Sequence, residues 1–350
     1  MKFVALLCAL LFNVVAGSAI ALATGLPPAG VVGAGALLST LTRSTGAGMA
    51  IQKEIWVNTI IEGLFADNSF ISKAINADQF VNQGKTVHIP NAGAPSGVEK
   101  NRTNLPAAIN VRTDLDLTFN LDEFTTNPIR IPHADTVELS YNKRESVLRQ
   151  DRAKLIETIA DAFTFYWAPT AANTIKTTGA EVSAHTTAAT GVRKAFTTAD
   201  VNAAMVKFDM QNVPQEGRYM LVDAVMYNQL LQSMTKYEQV AFHAAADIKT
   251  GRIGKLLTFN FMMRSKALRY TGGGAAKEWT TGGAATDNAA ALAWWDGAVY
   301  RALGEVVAFD NTSDPTYYGD IYSFLIRCGG RPARNGVEGV LAIVQDTATA

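Results

Sequence analysis

The sequence predicts an α+β chain with an outstretched strand-rich segment, and three observations carry that class. Residues 114–122 alternate strictly, with Leu115, Leu117, Phe119 and Leu121 against Asp114, Asp116, Thr118, Asn120 and Asp122, the period of a strand with one apolar face. From Leu139 to Ala168 the chain runs without Gly or Pro and sets Leu148, Leu155, Ile159, Phe163 and Tyr166 at helical spacing. "RYMLV" is an apolar run of strand length, followed at once by Asp223 and a helical pattern lined by Tyr227, Leu230, Leu231 and Met234. With 48% of 350 residues hydrophobic, the chain can build one elaborated domain or two smaller ones and is too apolar for disorder.

The N-terminal stretch has a different character. Residues 1–48 carry only two charges, Lys2 and Arg43, and "FVALLCALLFNVVAGSAIALA" is apolar for about 21 residues, enough to cross a bilayer. Lys2, the apolar run from Phe3 to Ala16 and the small residues from Ala19 to Ala23 also match a secretory signal. "GLPPAGVVGAGALLSTL" is rich in Gly and Pro and suits a flexible connection. From Met49 on, the composition is that of a soluble globular chain. Residues 1–48 therefore read either as a signal or anchor, or as an extension upstream of a natural start at Met49, the reading favoured here.

Along the body, "QKEIWVNTIIEGLFADNSF" spaces Trp56, Ile60 and Leu64 four apart, predicting an amphipathic helix of about three turns. Asp67 or Ser69 then caps a second short helix with Phe70, Ile71, Ala74 and Ile75. "GKTVHIPNAG" predicts a strand with Val87 and Ile89 on one face. The alternating strand follows, and with Ile129 and Ile131 beyond "TTNP" it forms a projection over about residues 95–135. Two-stranded ribbons are marginal in water, so its apolar face is expected to rest on a neighbouring molecule. Asn142 and Glu145 offer a capping box for the long helix, which extends about 40 Å. Residues 170–190, rich in Thr and Ala, read as a connection. A helix from about Asp200 to Met210 comes next, then a Pro-Gly turn and the "RYMLV" strand. "GRIGKLLTFNFMMRS" reads as turn and strand, and "TGGGAAKEWTTGGAATDN" as a flexible loop. Three apolar runs near the C-terminus supply the remaining α+β elements.

Chemistry is sparse. The 31 basic and 31 acidic residues cancel, so no overall field draws the chain to nucleic acid or an anionic membrane. Without Lys2 and Arg43 the balance is 29 basic against 31 acidic. Cys8 and Cys328 give neither a disulfide framework nor a zinc pattern. His88, His133, His185 and His243 lack metal-ligand spacing. Gly272–Gly274 lacks the ending of a phosphate loop, "GRIG" reads as a plain turn, and no Gly-x-Ser-x-Gly elbow exists. Asp114 with Asp116, and Asp122 with Glu123, mark the wet face of a strand rather than an acid/base pair. No catalytic, cofactor-binding or metal-binding residue is assigned.

From Met49 onward the order of elements resembles the major capsid protein of tailed bacteriophages, the HK-ninety-seven-like fold. "MAIQKEIWVNTIIEGLFADNSF" is similar to the family's N-terminal arm, "GKTVHIPNAG" with the alternating strand to its extended E-loop, and Leu139–Ala168 to its spine helix. "VPQEGRYMLVDAVMYNQLL" matches the family's pairing of a Pro-x-x-Gly-Arg turn with a strand and a helix ending in Leu-Leu, and "GRIGKLLTFNFMMRSKAL" resembles the strand after it. The resemblance covers about residues 49–345. It divides the chain into an apolar leader or extension (1–48), an N-terminal arm (49–85), an E-loop region (86–138), a P-domain with the spine helix (139–215), and an A-domain with returning P-domain strands (216–345). A capsid-type arm thereby becomes a third reading of residues 1–48.

The resemblance implies a self-assembling, non-enzymatic shell protein of a virion, built in the host cytoplasm from pentamers and hexamers around packaged double-stranded DNA. Scaffold and portal proteins would be further partners, and no cofactor is needed. A membrane would be a partner only if residues 1–24 act as signal or anchor. Intersubunit contacts are expected at Trp56 on the arm, at Glu99, Lys100 and Arg102, where charge clusters at a turn, and along Leu115, Leu117 and Phe119. Lys100 stands where some relatives carry a cross-linking lysine, but no partner is assignable and no cross-link is expected. Two other readings stay open: a secreted or membrane-anchored bacterial α+β surface protein, supported by the leader, and an enzyme, supported only by core size.

Overall fold

The computed structural model describes residues 59–61, 64, 68–82, 85–91, 98–103, 105, 106, 109, 115–132, 143–247, 251–266 and 268–347. The chain divides into units 1–59 and 60–350, and every described residue but Thr59 belongs to the second. Its elements begin with a 3-10 turn at Ser69–Ser72, then β1 (Ile75–Asn76), β2 (Val81–Asn82), β3 (Thr86–Asn91), β4 (Leu115–Asn120), β5 (Asp122–Thr125) and β6 (Ile129–Pro132). Next come α1 (Lys143–Tyr166), β7 (Thr174–Lys176), β8 (Glu181–Ser183), β9 (Val192–Lys194), α2 (Thr198–Met210), β10 (Arg218–Asp223), α3 (Ala224–Ser233) and α4 (Lys236–Ala244). The chain continues through β11 (Gly254–Leu256), β12 (Phe259–Arg264), β13 (Leu268–Tyr270), β14 (Ala276–Lys277) and β15 (Asn288–Trp295). It closes with β16 (Val299–Asp314), β17 (Gly319–Pro332) and β18 (Val340–Val344).

The larger sheet runs β11-β12-β10-β15, with β18 and then β7 beyond β15, while β13 shares β15's other edge with β10. β15 after its first residue, Asn288, and the whole of β18 read as unbroken apolar runs because both of their faces are covered. One face carries all three short helices: Val201, Ala204 and Phe208 of α2, Met226 and Leu230 of α3, and Phe242 of α4 pack on Met220, Val222, Phe259, Phe261, Ala291 and Ile343. On β15's opposite face, Trp294 meets Trp167 and Phe70 at ring distances of 5.7 and 6.3 Å. Both indoles are buried and both find acceptors, Trp167 on the carbonyl of Tyr300 at 3.0 Å and Trp294 on that of Lys73 at 2.8 Å.

The 24-residue helix α1 spans about 36 Å at 1.5 Å per residue. Leu148, Leu155, Ile159 and Phe163 are buried as their spacing requires, and Pro169 stops the helix because it has no N–H to donate. α1 packs on β17. Arg264 at the end of β12 bonds Asp161 of α1 at 2.8 Å, and Lys154 bonds Glu157 at 2.9 Å, holding that carboxyl below the usual range. Its proposed cap, Asn142 with Glu145, lies outside the described part.

The second sheet is built on the long hairpin β16–β17, with β1 parallel to the start of β16. β5 and β6 follow one another along the free edge of β17. Gly319 permits that edge: a Cβ there would lie 2.4 Å from the carbonyl oxygen of Ile131 on β6.

Several expectations need correction. The second short helix is only the 3-10 turn Ser69–Ser72, because Ile75 is drawn into β1 beside Tyr300. The Thr/Ala-rich connection contains β7 and β8, recruited by β18 and β9. The loop 271–287 is pinned: Lys277 and Asp287 form a buried ion pair at 2.6 Å, and Trp279 lies 5.7–6.0 Å from the rings of Phe124, Phe165 and Tyr166. Burial opposes ionisation of Asp287, but the Lys277 ammonium and the Ala284 N–H outweigh it and hold the carboxyl below its ordinary range.

Candidate functional site

The alternating strand forms as expected, but its apolar face is satisfied differently. β4 pairs with β3 in antiparallel register, Val87 opposite Phe119 and Ile89 opposite Leu117, and β2 extends the ribbon to three strands. Leu117 and Leu121 are buried with Ala77, Val87, Ile89 and Ala302 of the same chain, and half-buried Phe119 packs against them with Phe80, Val81 and Tyr300. The expectation that Leu117 contacts a second subunit is therefore corrected: the chain turns back through Ala77–Val81 and covers that face itself. Leu115 sits opposite Asn91 at the outer end of the pairing, and its side chain lies outside the described part. Arg331 of β17 donates to the carbonyl of Thr118 at 2.8 Å, fixing the ribbon to the second sheet. On the wet face His88 bonds Asp116 at 2.7 Å.

The far end of the ribbon is a different surface. Val98, Leu105 and Ile109 are 101%, 80% and 93% exposed. Among them Glu99 and Arg102 pair at 3.2 Å across one turn, and Asn101 takes a positive φ of 54° that brings the pair together. Lys100 is exposed and makes no ion pair among the described residues. The structure thus brings Glu99, Lys100 and Arg102 to one turn and leaves it open, separates them from Leu117 and Phe119 at the base, and does not describe Trp56.

The Pro-x-x-Gly-Arg turn has a physical account. Gly217 has φ +74°, and a Cβ on it would strike the carboxylate of Asp296. Arg218 is fully buried, with Asp209 at 2.6 Å, the hydroxyl of Thr258 at 3.1 Å, and the carbonyls of Val213 and Pro214 at 2.6 and 2.8 Å. His185 bonds Asp223 at 2.7 Å while Asp223 caps α3 through the N–H of Met226, so this partly buried pair ties β8's loop to a helix start. Among the described residues no group of three His, Cys, Asp or Glu could hold a metal ion, and no helix is long and apolar enough to cross a membrane. Burial raises the thiol pKa of Cys328, which keeps it protonated.

No family model matches the chain, and no curated protein matches it significantly. Solved structures do. A chain from Mycobacterium phage Che8 aligns with TM-score 0.54 at 18% identity, covering 78% of this chain and 90% of that one. The fold is HK-ninety-seven-like. Likewise, a chain of the capsid of cyanophage P-SCSP1u aligns with TM-score 0.56 at 16% identity, covering 79% and 87%. One from the capsid of Ralstonia phage GP4 aligns with TM-score 0.58 at 13% identity, covering 79% and 88%. In this HK-ninety-seven-like frame, β3–β4 is the extended hairpin and α1 the long helix of the sequence reading.

Proposed function

We propose that this chain is the major capsid protein of a tailed bacteriophage, a structural subunit that assembles with copies of itself into an icosahedral shell around packaged double-stranded DNA. The observation that carries the reading is the ribbon end, where Val98, Leu105 and Ile109 stand in solvent beside the Glu99–Arg102 pair on a base anchored in the subunit's own core. Such an arm fits a head-to-tail neighbour, and contacts of that kind close into the pentamers and hexamers of a shell. The shared fold with phage capsid chains supports it. So does the neutral charge balance, which suits a wall that confines DNA without gripping many phosphates.

Within this reading Trp56 on the arm, Glu99, Lys100 and Arg102 at the ribbon turn, Leu115 at the outer end of the strand pairing, and the exposed part of half-buried Phe119 at the base bear intersubunit contacts. The regions are an arm over 49–85, the E-loop over 86–138, the P-domain over 139–215 and the A-domain with returning strands over 216–345. Scaffold and portal proteins are further partners, assembly takes place in the host cytoplasm, and the location is the virion shell. Electron microscopy of the overexpressed chain tests the proposal: closed shells or ring-shaped capsomers are expected, and a stable monomer would overturn it. Reversing the charges of Glu99, Lys100 and Arg102 together should abolish those particles. N-terminal mass spectrometry addresses the leader, since a start at Met49 or Ala50 is expected and cleavage near Ala23 would favour export instead.

A further inference from the structure

The antiparallel register of β13 and β14 sets Arg269 directly opposite Lys277. Residues so paired hold their Cβ atoms about 5 Å apart on one face, so two cations stand side by side where like charges repel. Asp287 answers one of them: its carboxylate lies 2.6 Å from the Lys277 ammonium and also accepts the N–H of Ala284 at 2.9 Å. Among the described residues Arg269 has no carboxylate partner, and its guanidinium donates only to the carbonyl of Thr281, at 3.0 Å. The pair of strands therefore carries one positive charge more than its carboxylate neutralises.

Arg269 and Lys277 line a cavity of about 310 Å³, to which Lys266 adds a third positive charge. Among the described lining residues only Asp161 of α1 is negative, and Arg264 already holds it at 2.8 Å. Lys266 reaches Glu157 at 3.7 Å with 67% of its side chain exposed, a loose pair that a better acceptor can displace. With these partners counted, Arg264, Lys266, Arg269 and Lys277 face Glu157, Asp161 and Asp287, so the surplus stays positive. The hydroxyls of Thr280 and Thr281, also in the wall, make no hydrogen bond among the described residues. Guanidinium, ammonium and hydroxyl donors on separate segments call for acceptors in several directions, which the oxygens of a phosphate provide and the two coplanar oxygens of a carboxylate do not. The volume lies at the lower end for small-ligand sites, which leaves room for a phosphate and a small organic remainder.

We propose that this cavity binds a phosphate group, with Arg269 as its principal partner and Lys266 as its second. The site lies within one subunit, goes beyond the shell reading and does not depend on it. The test titrates inorganic phosphate into the full chain by calorimetry, against sodium chloride of equal ionic strength. Saturable binding of one phosphate per chain is expected, weakened about tenfold by Arg269→Gln and several-fold by Lys266→Gln. Lys266 is exposed, so its variant reads the site even where Arg269→Gln unsettles the loop. A short DNA duplex added as competitor separates the sources of the group: displacement assigns it to a nucleic-acid backbone, and no displacement to a free phosphate or monoester. Absence of saturation, binding that chloride reproduces, or a Lys266→Gln chain that binds phosphate as tightly as the parent, which marks an adventitious ion only, would overturn the site.

Discussion

Residues 98–109 and 271–287 look alike in sequence, both rich in small and polar residues with a few charges and a few apolar side chains, yet they are opposite in structure. In the first, Val98, Leu105 and Ile109 face solvent and the Glu99–Arg102 ion pair is exposed. In the second, the ion pair is buried, Lys277 with Asp287, and the aromatic residue Trp279 sits against three other rings. The difference shows that a loop is fixed by what its few informative side chains reach. Charges at a solvated turn contribute little to stability, and a buried pair cannot be broken without stranding a charge.

That contrast can be broken in graded ways. Asp287→Ala leaves the Lys277 ammonium buried and unpaired, and denaturant unfolding should show a loss of about 3 kcal/mol. Trp279→Ala removes a half-buried ring and should cost about 2 kcal/mol by the same measurement. Acid sharpens the comparison: because the Asp287 carboxyl is held below its unfolded value of about 3.9, its contribution is complete above that pH and is lost as pH falls through the folded value. An Asp287→Asn variant should accordingly show a shallower stability slope below about pH 4. At the small end, replacing Val98, Leu105 and Ile109 by Ser should change subunit stability by no more than about 0.5 kcal/mol, since all three are exposed.

Periodicity made much of this fold legible. α1, β3, α2 and the β10–α3 pair stand where their apolar spacing put them, because each buries one continuous face against a nearby surface. The alternation of residues 115–121 likewise identified a strand and its apolar side. It could not say what covers that side, because the cover, Ala77 with Phe80, Val81 and Ala302, comes from segments distant in sequence. β7 and β8 were illegible for a related reason: three-residue strands carry no pattern of their own and are recruited by pairing. At the candidate site, the charged turn at Glu99–Arg102 was visible as a cluster, while the apolar residues around it show no period and only their exposure reveals them.

In the proposed shell, this subunit keeps its core to itself and offers the ribbon end to a sibling. Sedimentation velocity of the full chain beside its Val98→Ser, Leu105→Ser, Ile109→Ser variant tests it most directly. Rings or shells are expected for the former and a folded monomer for the latter; a monomeric parent chain, or a variant that assembles as the parent does, would overturn the ribbon end as the contact between copies.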